Sequence, residues 1–371
     1  MSKIRVGAIG CGGIAQMMHI PYLIGIPDFE LAALSDTYDA VLNDVGDKFH
    51  IERRYTDWRE LLAQPDLDAV AIAHSGTHRE TVIAALDAGK HVFVEKPLAW
   101  TLRETLDVQR RADASDRVVQ LGYHKLYDPG FAYAKAHLAE IDDLAFVDCT
   151  VLHAADSFNR APYPILRGNG DVGQFDYNLP DWEAMLRDSQ ENMLTGEFGT
   201  LIGDALGDRR GDPRLHFGFG MLAASVIHQI YTLFGFLGDP VDVLHADFWR
   251  GGHSMHILIA FPNEVRCAIN WHNLPYLNDY RETYSFYGNH KRMKFELPGP
   301  YYRNFPSPVT LQGGEGELSW EKRVIVSYRE AFHNELLAFA DSILNGTPVR
   351  ASVADAVKHA RFIEDVVRKV R

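Results

Sequence analysis

Short apolar runs alternate with amphipathic stretches through the first third of the chain. Ile4–Ile9, Phe29–Ser35, Ala69–Ala73, His91–Glu95 and Val118–Gly122 read as buried strands. Gly13 to about Leu23, Thr37–Phe49, a short stretch ending near Ala63, His78–Ala88 and Leu102–Ala112 read as helices. Strands separated in this way by helices imply βαβ units and a parallel sheet. Beyond Gly122 the texture changes. Leu144–Ala154, Val241–Trp249, His256–Phe261, Val265–Trp271, Glu282–Tyr287 and Lys291–Leu297 read as strands with few helices between them, which predicts a second, largely antiparallel sheet. Asp181–Leu206 and Gly220–Phe236 have helical character, and Gly203–Pro213 reads as a loop. Phe332–Leu344 and Val353–Val370 read as two helices joined at Asn345-Gly346.

Composition narrows the class. The 371 residues are enough for two ordinary domains, and 46% hydrophobic with 23% charged residues is the balance of a globular protein. A formal net charge of −13 argues against binding nucleic acid or an anionic membrane through the overall field. The three cysteines, Cys11, Cys149 and Cys267, form no CxxC pair and fit a reducing cytoplasm without disulfides. Met1–Lys3 lead straight into a strand with no signal-peptide pattern, and no run of 18 apolar residues occurs. The expected location is therefore cytoplasmic.

The first strand runs into Gly10-Cys11-Gly12-Gly13-Ile14-Ala15, the GxGxxA form of the dinucleotide fingerprint. Gly10 permits the tight turn, Gly12 lets backbone approach a pyrophosphate, and Ala15 allows close packing of helix on strand. The helix start beginning at Gly13 and Ile14 offers N–H groups and a partial positive charge to phosphate. Asp36 ends the second strand, where a carboxylate accepts hydrogen bonds from ribose hydroxyls and repels a 2′-phosphate. Thr37 and Tyr38 follow it, with no Arg to receive that phosphate, so the expected cofactor is NAD rather than NADP. The fold class this implies is α/β: an N-terminal Rossmann domain over residues 1–122, and a C-terminal α/β domain over 123–371 with an open, mainly antiparallel sheet.

Ala88-Gly89-Lys90-His91-Val92-Phe93-Val94-Glu95-Lys96-Pro97-Leu98 resembles the AGKHVxxEKP signature of the glucose–fructose oxidoreductase, inositol dehydrogenase and MocA family. The resemblance extends through Tyr55-x-Asp57, Gly122-Tyr123-His124, the segment carrying His228, and Phe332…Glu335…Phe339…Asn345-Gly346. It implies hydride transfer between NAD(P) and a secondary alcohol of a sugar or cyclitol, C-terminal helices that pack back towards the Rossmann domain, and homo-oligomers built through the second sheet. It makes Lys96 the catalytic lysine and Glu95 part of the cofactor edge, with Pro97 holding the turn through a cis peptide bond. A lysine there suits the chemistry, because it can hydrogen-bond the reacting oxygen and stabilise developing negative charge.

Several positions depart from the family pattern. His228 matches the proton-accepting histidine, but Ala224 and Tyr231 stand where relatives carry aspartates. Either His228 works with other neighbours or proton transfer has moved. His74 stands where relatives have proline, while Ser75 and His78 remain candidate cofactor contacts. His74 and His78 alone make no metal site, since no carboxylate or thiol completes one. Tyr123, His124, Lys125 and Tyr127 lie on the family's substrate edge, and Asp128 is placed to cap a helix starting at Pro129. Arg209, Arg210 and Arg214 form a basic cluster, either a solvated loop or a clamp for an anion or an acidic neighbour. The expected function is an NAD-dependent oxidoreductase acting on a sugar, sugar derivative or cyclitol. A redox-neutral NAD-dependent glycosidase and a non-catalytic NAD sensor are the alternatives. Substrate specificity is expected to lie in Asp156–Pro213 and near Trp271 and His272.

Overall fold

The computed structural model describes residues 3–173 and 195–371. The chain divides into two compact units. One comprises Met1–His124, Arg160–Phe175 and Phe332–Lys358, and the other Lys125–Asn159, Asp176–Ala331 and His359–Arg371. Two later segments therefore join the N-terminal residues in the first unit.

The first unit is built on strands β1 (Ile4–Ile9), β2 (Phe29–Ser35), β3 (Arg54–Tyr55), β4 (Ala69–Ile72), β5 (His91–Val94) and β6 (Val119–Leu121), in the order β3-β2-β1-β4-β5-β6. Every neighbouring pair is parallel. That order reverses between β1 and β4, the crevice where open α/β sheets bind ligands. Helical residues after β1 open with a wide π turn, Ala15–His19, and continue as α1 (Ile20–Gly25); α2 (Asp39–Phe49), α3 (Trp58–Leu62), α4 (Arg79–Asp87) and α5 (Leu102–Asp113) follow. Local chemistry sets their starts: Asp57 accepts from the Arg59 N–H, and Thr101 with Glu104 forms a capping box on α5. The helix Ala331–Asn345 contributes Leu336 and Phe339 to the core, where the Phe339 ring meets Phe29 and Phe93.

Strand β7 (Phe146–His153) belongs to the second unit. The chain then returns to the first unit with a hairpin, β8 (Ile165–Gly168) and β9 (Asp171–Gly173), before the second sheet resumes. That sheet adds β10 (Asp242–Trp249), β11 (Ser254–Ala260), β12 (Arg266–Asn273), β13 (Arg281–Tyr287), β14 (Lys291–Leu297), β15 (Val309–Glu315) and β16 (Leu318–Val324). Its order is β10-β11-β12-β7-β13-β14-β15-β16, antiparallel except at β12–β7. Alternation sorts its faces: Val147, Cys149 and Val151 are buried, while Asp148 and Thr150 point the other way. On that second face the Asn270 amide donates to Asp148 at 2.9 Å and pairs with the His256 ring at 2.8 Å.

The last two strands escape the sequence pattern because Leu318-Ser319-Trp320-Glu321-Lys322-Arg323 is exposed throughout and shows no buried alternation. The stretch read as a loop from Gly203 is helical to Leu206. Of the expected helix Asp181–Leu206, residues 181–194 lie outside the described residues, and Gly196–Leu206 is helical. The helix expected at Gly220–Phe236 starts earlier, so Pro213–Leu237 is one helical run long and apolar enough to cross a membrane by length and composition. Most of its most apolar window is buried. His216, Ser225, His228 and Gln229 interrupt any strictly apolar reading of it. Arg209 donates to the carbonyls of Val367 and Val370, and Arg214 to those of Phe248 and Arg371. Arg209 thus caps the end of the helix Val353–Lys369, and Arg214 ties Arg371 to β10.

Candidate active site

The first unit displays its chemistry at the carboxyl ends of β1, β2, β4 and β5. Gly10 has φ +95°, and a Cβ there would stand 2.4 Å from the His74 backbone nitrogen, so only glycine allows β1 and β4 to end so close together. A Cβ on exposed Gly12 would meet nothing within 4 Å: backbone faces open space, as a pyrophosphate requires. The first helical bond runs from Gln16 N–H to Gly12 O, so the N–H groups ahead of it, at half-buried Gly13 and Ile14, precede the ladder. Asp36 accepts from the Cys11 N–H at 2.7 Å and the Tyr38 N–H at 2.8 Å. Those bonds orient the carboxylate beside the glycine turn and leave it lone pairs for ribose hydroxyls. The residues present therefore fit a dinucleotide.

Lys96 follows β5, half-buried, on a cis Lys96–Pro97 bond. Glu95 beneath it is buried. It accepts from the Lys96 N–H at 2.9 Å and pairs with the His19 ring at 2.8 Å. Burial alone would push this carboxyl up, yet the His19 bond and the neighbouring Lys96 and His124 hold it down to about 2. Glu95 is thus a charged brace under the lysine turn, with its oxygens turned inward. Gly122 is the reason it fits, since a Cβ there would press on the carboxylate at 3.3 Å. His124 stacks on Phe332 at 4.1 Å between ring centres.

His78 is buried, and its two ring nitrogens lie on the carbonyls of Pro97 (2.7 Å) and His74 (2.9 Å). Burial first, then the neighbouring His74, lowers its pKa to about 4. Two carbonyl partners would suit a doubly protonated ring, but burial favours the neutral ring, whose single N–H donates to one of the two carbonyls at a time. His78 therefore pins the β4 loop to the lysine turn and has no polar atom left for a cofactor. Ser75 is exposed beside it, and its carbonyl accepts from the His74 ring. Tyr123 is 2% exposed and burial pushes its phenol up, which places it in the core.

The second unit holds the remaining candidates. His228 lies at the start of the helix Ile227–Leu237, with Nδ1 2.8 Å from the Tyr231 hydroxyl. Tyr231, at the position where relatives carry an aspartate, is the partner the sequence left open. Lys125 does not offer a surface charge: its Nζ lies 2.6 Å from both oxygens of buried Glu282. Gln229, Tyr280 and Tyr284 also donate to Glu282. Burial raises that carboxyl, and Lys125 first among its donors more than reverses the effect. Tyr127 is buried, and Asp128 caps its helix through the N–H groups of Gly130 and Phe131. Among the described residues no group of His, Cys, Asp and Glu is arranged to hold a metal.

Sequence reasoning missed Gln16, Glu282 and Glu330. The Glu330 carboxyl is 8% exposed, and burial raises its pKa to about 7. Its surrounding Tyr328-Arg329-Glu330-Ala331 carries no motif.

A doubly wound parallel sheet with a glycine cradle, a β2 carboxylate and a lysine after β5 defines a dinucleotide-binding domain. Residues 4–123 match the model of the Gfo/Idh/MocA oxidoreductase family, NAD-binding Rossmann fold. Myo-inositol 2-dehydrogenase of Thermotoga maritima is 35% identical over 133 residues, 36% of this chain and 40% of that protein. The NAD(+)-dependent scyllo-inositol 2-dehydrogenase of Bacillus subtilis is 28% identical over 137 residues, 37% of this chain and 40% of that protein. The match thus spans about two fifths of these relatives' length. Among solved structures, KijD10, a 3-ketoreductase from Actinomadura kijaniata in complex with NADP and TDP-benzene, superposes with TM-score 0.72 at 18% identity, over 100% of this chain and 98% of that one. An oxidoreductase from Agrobacterium radiobacter, in complex with NAD+, L-tartaric acid and magnesium, gives 0.70 at 19%, over 99% and 96%. Both are likenesses of fold.

Proposed function

We propose that the chain is an NAD-dependent oxidoreductase that takes hydride from a secondary hydroxyl of a cyclitol, sugar or sugar derivative. The observation that carries this reading is that one parallel sheet presents the glycine cradle, Asp36 and Lys96 along the same carboxyl edge. Bound NAD supplies the hydride acceptor. Asp36 receives the ribose hydroxyls and disfavours a 2′-phosphate. Lys96, aimed by the Glu95 brace, donates a hydrogen bond to the reacting oxygen and stabilises its developing charge. His228 accepts the hydroxyl proton. For its Nε2 to do so, Nδ1–H must donate to the Tyr231 oxygen, a weaker acceptor than a carboxylate. The inositol dehydrogenases among the relatives support a cyclitol, and the likeness to a 3-ketoreductase supports a sugar. A homo-oligomer formed through the polar face of the second sheet is part of the same reading.

The test is NADH formation from a panel of cyclitols, sugars and glycosides, run with NAD and with NADP, for the wild type and Asp36→Ala. Turnover with NAD, and a preference that relaxes in Asp36→Ala, is the expected result. Aglycone release without net NADH redirects the reading to a redox-neutral glycosidase. Dinucleotide binding with no turnover of any of them reduces it to a sensor.

A further inference from the structure

We propose that the β8–β9 hairpin is a third wall of the dinucleotide site, and that Gln16 sets the rate of cofactor release by holding it there. The inference rests on the dinucleotide reading above.

Gln16 lies in the π turn directly after the glycine loop and is 5% exposed. Its Nε2 donates to Cys11 O at 2.8 Å and to Leu166 O at 2.9 Å, and its Oε1 accepts from Leu166 N–H at 2.8 Å. The side-chain amide thus pairs with Leu166 as a neighbouring strand would, and ties that residue to the carbonyl between Gly10 and Gly12. The rest of the hairpin is fastened as tightly. Asn169 and Gly170 both have positive φ, 56° and 72°, the signature of a type I′ turn. Gly168, at φ +104°, lies on the N-terminal end of α2, where a Cβ would stand 2.8 Å from the Ala40 Cβ. The Gly170 N–H donates to Asp44, and Lys48 to the Pro164 carbonyl. Ile165 reaches over Gly13, 3.6 Å from the position of a Cβ there.

The hairpin therefore stands on both helices that flank Asp36, and leaves open the space at Gly12. A ligand seated at that loop is walled by the first βα turn, by the end of β2 and by the hairpin. Its departure is coupled to loosening Leu166 from a buried amide, and the buried groups so exposed resist opening. A tight wall would keep the cofactor on the protein between turnovers.

Displacement of bound NADH, followed by its fluorescence in a stopped-flow instrument, measures the release rate. Gln16→Ala and, separately, Gly168→Val should each speed release about tenfold or more, the effect of losing one or two net hydrogen bonds. Gly168→Val dislodges the hairpin at Ala40 without touching Gln16, so it carries the test if Gln16→Ala fails to fold; circular dichroism of unliganded protein checks this. Folded variants with wild-type release rates would overturn the proposal. A wild type that binds no NADH fails the dinucleotide reading itself, a separate outcome.

Discussion

Glu95 and Glu282 are both buried carboxylates, one in each unit, and they do opposite things with their charge. Glu95 uses its oxygens on the Lys96 N–H and the His19 ring, so the turn is fixed while the lysine side chain stays half-buried at the strand end. Glu282 takes the ammonium of Lys125 itself, with three further donors around it. The first arrangement fixes the turn that carries a lysine; the second holds a lysine's ammonium inside the core. Lys125, which looks available in the sequence, is therefore spent in the core, because a buried charge must be paired and Lys125 is the partner of Glu282.

Three perturbations probe that contrast. The largest effect is expected from Lys125→Ala, which strands Glu282 without its cation. It should cost about 3–5 kcal/mol in a denaturant melt, whereas replacing Lys125 and Glu282 together by Met and Leu should cost much less. An unchanged midpoint in Lys125→Ala would erase the distinction. Next comes Lys96→Ala, expected to lower kcat about 100- to 1,000-fold on the best substrate while the melt barely moves. Loss of stability in place of activity would make Lys96 a second Lys125. The smallest effect is a pH dependence. His78 has its pKa lowered to about 4 from the ordinary 6.5, so the unfolded chain binds more protons between those values. Stability should fall as pH drops from about 6.5 towards 4. Part of that slope should vanish in His78→Gln, measured as melting temperature across the window. An identical slope in the variant would assign the acid sensitivity elsewhere, for instance to His253, which burial also lowers to about 4.

Much of the first unit was legible because its signals are local. The glycine loop and Asp36 at a strand end each need only a few consecutive residues whose backbone geometry follows from their type, and the Glu95-Lys96-Pro97 turn stands out by its resemblance to the family signature. Even the hairpin had such a signal, Asn169-Gly170 between short apolar runs. Its docking had none, since Gln16 and Leu166 are 150 residues apart. His78 read as a cofactor contact because its position was visible and its buried partners were not. The missing partner of His228 was open in the sequence, although Tyr231 lies on the next helical turn, because a phenol is not the carboxylate the pattern led one to seek.

The sequence by itself determined the parallel sheet and the dinucleotide cradle. These follow from periodicity and from residues whose conformational demands act within a turn or two. Only the tertiary structure decided which charges are spent. Lys125 and Glu282 are 157 residues apart, and pairing at that distance depends on which strands the sheet brings together rather than on any pattern along the chain.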